Sequence, residues 1–252
     1  VTIDEAVFTL ADTETTGTGD DAQLVEVAAR NINSRGVIAD RFATLCKPTI
    51  AIPAEASAVH HITDVDVVDA PNRATVDAHL EAFVPTDAVV VAHNAMFDQR
   101  ILDPALSSRL WLCTERLAHH LVPDAPNFKL ATLFYHLQLG RVEEALHRAD
   151  ADLAITQRVF IALLQRYRDY CGAKFAGDID NIERSEQTET LIGFAERPYI
   201  IARCPFGKHR GELMESVPTS YILWALRSLD DISPDLKFNF ERQLRLRNGK
   251  AA

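Results

Sequence analysis

Asp12 and Glu14 stand two residues apart at the end of an apolar run, Phe8-Thr-Leu-Ala-Asp12-Thr-Glu14-Thr-Thr-Gly17. In an extended strand alternate side chains share a face, so Phe8, Leu10, Asp12 and Glu14 lie on one side and Val7, Thr9 and Ala11 on the other. Two carboxylates aimed the same way repel: at an effective dielectric near 20, unit charges ~4 Å apart cost about 4 kcal/mol. Such a pair shifts its pKa values or holds cations, and a divalent metal is the simplest reason to build it. Short acidic pairs at strand ends are also common as solvated turn residues, so the pair gains weight only if further acids converge on it.

Two more segments supply acids of that kind. Asp98 follows His93-Asn94-Ala-Met-Phe97 at the start of an expected helix over 97–106. Asp152 lies near the start of the longest helical pattern, roughly 149–171, where Ile155, Val159 and Leu163 form one stripe and Leu153, Phe160, Leu164 and Tyr167 lie beside it. Its spacing from Ile155 and Val159 puts Asp152 on the buried side. A carboxylate there is costly unless it is paired or coordinated; the alternative is a structural role at the positive end of the helix dipole. Asp150 points away and reads as a surface acid. His147 precedes Asp152 with four residues between them, and read alone it is a polar helix-start residue.

The elements that must position these groups follow from periodicity and turn signals. Residues 7–14, 23–32 and 37–46 read as strands joined at Asp20-Asp21 and Ser34-Arg35-Gly36, links short enough for an antiparallel meander. A short helix and loop is expected around Ser57–Thr63, and an amphipathic helix over 72–84 with Asn72 as cap. Residues 88–92 are a short continuous apolar run, suited to a strand buried on both faces. A further strand is expected at 110–114, and helices at 115–121 and 129–137. A meander followed by strand and helix alternation describes an α/β domain with a mixed sheet between helices. Residues 172–196 are polar and acidic and read as a linker that could hold one short helix. After them come a strand at 199–202, a turn at 205–211, and helices at 221–226 and 235–246. The expected domains are thus 1–171, a linker at 172–196, and a small α+β domain at 197–252.

The 252 residues carry a formal charge of -10, which on its face argues against a polyanionic partner. The charge is uneven. Residues 197–252 hold ten Lys/Arg and six Asp/Glu, a net of +4, and the remainder is left at -14. An acidic body binds a polyanion if metal neutralises the contact point and a basic appendage supplies steering. Four cysteines (Cys46, Cys113, Cys171, Cys204) have no C-x-x-C spacing, against a zinc site or disulfide framework, and fit a reducing cytoplasm. No apolar run of about 18 residues and no signal-peptide pattern occurs, so neither membrane insertion nor secretion is expected.

Taken in order, Asp12-Thr-Glu14, Asn94-Ala-Met-Phe97-Asp98 and His147-Arg-Ala-Asp-Ala-Asp152 resemble the three motifs of the DEDDh exonuclease family, whose fold is ribonuclease H-like. The middle motif is one spacer shorter than some versions. The match covers residues 6–170. Phe206-Gly-Lys-His-Arg-Gly211, then Val217-Pro and Tyr221-x-x-Trp224, resembles the small domain of exonuclease X-type proteins. Trp111-x-Cys113-Thr114 and Ala58-Val-His60-His-Ile-Thr63 also look closer to that branch than to a polymerase proofreading subunit.

The resemblance implies a metal-dependent 3′→5′ exonuclease that hydrolyses phosphodiester bonds and releases nucleoside 5′-monophosphates. Asp12, Glu14, Asp98 and Asp152 would hold two Mg²⁺ or Mn²⁺ ions, hard cations suited to all-oxygen ligation. His147 would take the proton from the attacking water. Thr15, Thr16 and Gly17 match the turn that holds the terminal nucleotide, and Asn94 and His60 are further candidate substrate contacts. The family often places a bulky apolar wedge after that glycine, where this chain has Thr18. Expected partners are nucleic acid 3′ ends, DNA preferred, with an exoribonuclease as the rival activity. A proofreading or interaction subunit is the rival of another class. Lys208 and Arg210 are candidate phosphate contacts behind the cleaved end, with a plain solvated turn as the alternative. Lys208→Ala with Arg210→Ala is expected to weaken DNA binding and flatten its dependence on salt; identical binding at several salt concentrations would reject the contact.

Overall fold

The computed structural model describes residues 1–141 and 148–249, so His147 lies outside the described residues. Two compact units emerge, Val1–Ala195 and Glu196–Ala252.

The first unit is built on five strands: β1 Phe8–Thr15, β2 Leu24–Ile32, β3 Ile38–Leu45, β4 Val89–Ala92 and β5 Leu110–Cys113, in the order β3-β2-β1-β4-β5. The first three form the antiparallel meander, and β4 and β5 add parallel to β1. β1 is therefore central, paired on both edges. Its alternation sorts the core into two layers. Phe8 and Leu10 face one layer with Phe160, Leu163 and Leu164, while Ala11 faces the other with Leu80, Leu102 and Leu106. The helices α1 Ala54–His60, α2 Arg73–Phe83 and α3 Ala95–Leu106 precede α4 Thr114–Leu121 and α5 Leu130–His136. α2 starts as expected, with the Asn72 side chain accepting from the Thr75 amide. The long helix α6 spans Ala149–Lys174 and packs Leu153, Val159, Phe160 and Leu163 against the sheet.

Residues 172–196 are not a bare linker. They hold the end of α6 and two further helices, α7 Ile179–Ser185 and α8 Thr188–Glu196. Leu191, Phe194 and Ala195 join the main core. The Tyr167 hydroxyl donates to the Ser185 carbonyl (2.9 Å), and the Ile3 amide donates to the Glu186 carbonyl (2.7 Å), which ties the segment to the chain start. The composition is polar because these short helices bury only one edge.

In the second unit the structure departs from the expected strand at 199–202. That segment is extended, but its polar groups go to side chains: the Ile201 amide donates to Asn239 Oδ1 (3.0 Å) and Asn239 Nδ2 donates to the Tyr199 carbonyl (2.8 Å). Only an isolated bridge, Arg203 to Leu213, remains of sheet pairing among the described residues of this unit. The unit is otherwise helical, with α9 Thr219–Ser228 and α10 Pro234–Asn248 closing over Val217, Ile222 and Phe240. All four cysteines are free. Among the described residues no helix is long and apolar enough to cross a membrane.

Leu191 is fully buried, so Leu191→Ala is expected to destabilise the chain by about 2–5 kcal/mol in urea unfolding. A loss under about 1 kcal/mol would return residues 172–196 to the role of a linker.

Candidate active site

At the C-terminal end of β1 acids converge from three elements: β1 itself, α6 and α3. Asp12 and Glu14 share the face of Phe8 and Leu10, towards α6. There they meet Asp152, in the first turn of α6. Ligand oxygens of Asp12, Glu14 and Asp152 all lie within 4.8 Å of one another. Asp98, in the first turn of α3, is buried and comes from the other layer. It is held by Thr13, whose hydroxyl donates to its Oδ1 (2.7 Å). Asp98 is not one of the three mutually close acids, yet its charge is the largest ionic contribution pushing up Asp12.

Burial is the first cause of all three shifts, and for Asp12 and Glu14 repulsion from neighbouring acids is the second. Asp12 is raised well above the ordinary carboxylate range, by desolvation and then by Asp98, Asp152 and Glu14. Glu14 is raised to about 7, by desolvation and then by Asp152 and Glu26. Asp98 is raised to about 7 by desolvation, against the hydrogen bonds from Thr13 and the backbone that favour its charged form. Raised carboxyls with oxygen-only donors at this spacing fit hard divalent cations. Among the described residues these acids are joined by no histidine or cysteine, the nitrogen and sulfur donors that structural zinc sites favour.

What sets α6 in place was missed in the sequence reading. Glu26 on β2 sits opposite Glu14 in the ladder. It accepts from Arg148 Nη2 (2.6 Å) and from the Ala149 amide (3.1 Å), so one carboxylate caps α6 and pairs with the residue before it. Four residues along the same strand face, Arg30 donates to Asp150 Oδ1 (2.6 Å) and to the Asp150 carbonyl (2.7 Å). Asp150 is thus an anchor rather than a free surface acid. A signal was present: β2 is buried throughout, and an opposite-charge pair four residues apart on one face of such a strand needs partners.

The remaining candidates lie around this cluster. Thr15 and Thr16 are buried; the Thr15 hydroxyl donates to the Gly17 carbonyl (2.6 Å), and Thr16 Oγ1 accepts from the Gln23 amide (3.0 Å), so both shape the turn. A Cβ at Gly17 would meet nothing within 4 Å. Packing does not demand glycine there, and the face is open to a ligand. His60 is only 1 % exposed. Its Nδ1 accepts from the Ile62 amide (3.0 Å), and desolvation lowers its pKa while the Thr15 backbone works in the opposite direction. The ring is thus close to the Thr15 backbone. Asn94 is exposed and left-handed (φ 57°) where β4 passes into α3. His93 is structural: burial lowers its pKa to about 4, and its nitrogens contact Thr114 (2.9 Å) and the Phe128 carbonyl (2.9 Å). Lys208 and Arg210 are exposed on the second unit.

A mixed five-stranded sheet between helix layers, with an acid cluster at the end of its central strand, is the ribonuclease H-like exonuclease fold. The family model described as "Exonuclease" matches residues 10–160, and the chain belongs to that family. Exodeoxyribonuclease 10 of Escherichia coli K12 is 29% identical over 242 residues, covering 93% of this chain and 97% of that protein. DNA polymerase III subunit epsilon of Treponema pallidum is 31% identical over 203 residues, covering 75% of this chain and 88% of that one. The solved structure titled "Exonuclease X in complex with 5' overhanging duplex DNA" superposes with a TM-score of 0.55 at 27% identity, covering 75% of this chain and 99% of the other.

The raised carboxyls fix a sign for pH dependence. Unfolded, these acids titrate near 4; folded, Glu14 and Asp98 titrate at about 7. Between those values the native chain holds protons that the unfolded chain has lost, so stability falls as pH rises through this window. In chelator the Tm is expected to be lower at pH 8 than at pH 5.5, and Mg²⁺ or Mn²⁺ at pH 8 to restore it. A Tm that does not fall over this range would show that the fold does not raise these acids.

Proposed function

We propose that the chain is a metal-dependent 3′→5′ exonuclease acting on DNA and releasing nucleoside 5′-monophosphates. The observation that carries this is the convergence of Asp12, Glu14 and Asp152 within 4.8 Å, with Asp98 reaching the same strand end through Thr13. The four acids would hold two divalent cations, Mg²⁺ or Mn²⁺. When bound, such a pair lowers the pKa of water and stabilises charge on the leaving oxygen.

The chain's own groups do the rest. The Thr15–Gly17 turn presents an open backbone to the terminal nucleotide, and His60 lies close to its Thr15 backbone. Asn94 would contact the sugar-phosphate from the start of α3. His147 would accept the proton of the attacking water. It is one peptide bond from Arg148, which the Glu26 carboxylate holds. Lys208 and Arg210 would contact phosphates of the retained strand.

The proofreading or docking reading draws support from the relative named as a polymerase subunit. The alignment with Exodeoxyribonuclease 10, which runs over 93% of the chain, favours a free-standing nuclease. Oligonucleotides labelled at the 5′ end, DNA and RNA in parallel, are expected to shorten progressively with Mg²⁺ or Mn²⁺, DNA the faster. Asp12→Ala and Asp152→Asn should each reduce the rate by at least about 100-fold. Shortening of RNA alone would make the chain an exoribonuclease. No metal-dependent shortening of either would leave the docking role.

A further inference from the structure

The second unit carries an open groove of about 490 Å³ lined by Gly207, Lys208, Ser220, Tyr221 and Trp224. Trp224 is 47% exposed, and its ring centroid lies 5.2 Å from that of Tyr221 at 37° between planes. Tyr221 is held from the other side by His209, whose ring is 4.6 Å away and whose Nδ1 pairs with Glu212 (3.0 Å). Lys208 Nζ stands 5.6 Å from the Tyr221 ring centroid, at the rim of the groove. The short 3₁₀ turn Gly207–His209 closes against the tyrosine. Gly207 is left-handed (φ 64°), and a Cβ there would fall 2.1 Å from the Tyr221 hydroxyl, so only glycine fits. The turn, the ring and the lysine are thus built as one piece. On α9, Ser220, Trp224 and Arg227 recur at helical spacing and are all exposed.

We propose that this groove is a stacking platform for a base of single-stranded nucleic acid, with Lys208 and Arg227 reaching the flanking phosphates. The proposal deepens the nuclease reading given above and depends on it for the choice of ligand. An indole fixed by a neighbour yet half open to water offers a flat apolar face. No acid lines the groove, and the unit around it is basic, against an acidic first unit. That combination matches a polyanion bearing π-faces better than an apolar peptide segment. Stacking of this kind tolerates any sequence, because every base has such a face. A duplex hides those faces, so the platform selects unpaired strand. Because platform and acid cluster belong to one chain, a strand held by the first is supplied to the second at raised effective concentration.

The test uses the full chain with Trp111→Phe, which leaves Trp224 as the sole indole of the two. In EDTA, oligothymidylate of about 12 nucleotides, a length within the usual site size, is expected to quench Trp224 emission, and duplex of the same length is not. Trp224→Ala should weaken oligonucleotide binding at least about fivefold, as loss of one stacked base does. Trp224→Phe should recover most of it. The same alanine variant, with Mg²⁺, should raise KM on long strands by a similar factor, with kcat and dinucleotide cleavage unchanged. Trp224 is outside the buried core of its unit, and the phenylalanine variant separates loss of stacking from loss of fold. Absence of quenching, or equal affinity in Trp224→Ala, overturns the platform. Quenching with no hydrolysis of any strand would sink the nuclease reading alone. Hydrolysis with long-strand KM unmoved in Trp224→Ala would sink the platform alone.

Discussion

Repulsion among carboxylates at the end of β1 is the constraint on which the first unit is organised. Asp12, Glu14 and Asp152 come from two elements more than a hundred residues apart, and nothing in their own chemistry brings them together. The rest of the unit must hold them there. Burial on both faces of a central strand supplies rigidity on one side of the cluster: β1 is paired along both edges and its apolar residues are locked into two core layers. Rigidity on the other side comes from α6, whose apolar stripe runs the length of the sheet.

The contact between those two rigid bodies is where β2 matters. Glu26 and Arg30 each fasten the first turn of α6, one to Arg148 and the Ala149 amide, the other to Asp150. The two clamps have opposite sign, so they add no net charge beside a site that is already acidic. Their geometry also fixes the rotation of the helix. Asp152 reaches the strand end because Glu26 and Arg30 hold the first turn of α6 against β2. The bulge between Glu14 and Thr15 then turns the chain off the ladder into the open Thr15–Gly17 loop.

Much of this was legible in the residues. Alternation in 7–14 assigned Asp12 and Glu14 to one face, and the stripe through Ile155, Val159 and Leu163 assigned Asp152 to the buried side of its helix, because both patterns are local and long enough to average out noise. The route of Asp98 was not legible, since a bond to Thr13 eighty-five residues away is a property of the folded sheet. Glu26 and Arg30 were legible as strand charges in need of partners, but the partners themselves, 122 and 120 residues away, were not. The two short helices of 172–196 escaped for another reason. Two turns bury too few side chains to show a period, and α7 buries only Ser185, whose carbonyl accepts from the Tyr167 hydroxyl. The apolar run at 199–202 misled in the opposite direction: Asn239 supplies the hydrogen bonds that a neighbouring strand would have given.

Asp12 sits where burial and four like charges all oppose its ionised form. Any replacement that removes the charge therefore relaxes the native state, and on the nuclease reading proposed above it would also remove a cation ligand. On that reading, drift towards inert copies is downhill in folding free energy, and only selection for turnover would retain the acid. Descendants of such a chain that keep the architecture but have lost this residue would be sturdier than their ancestor, and well suited to be recruited as scaffolds.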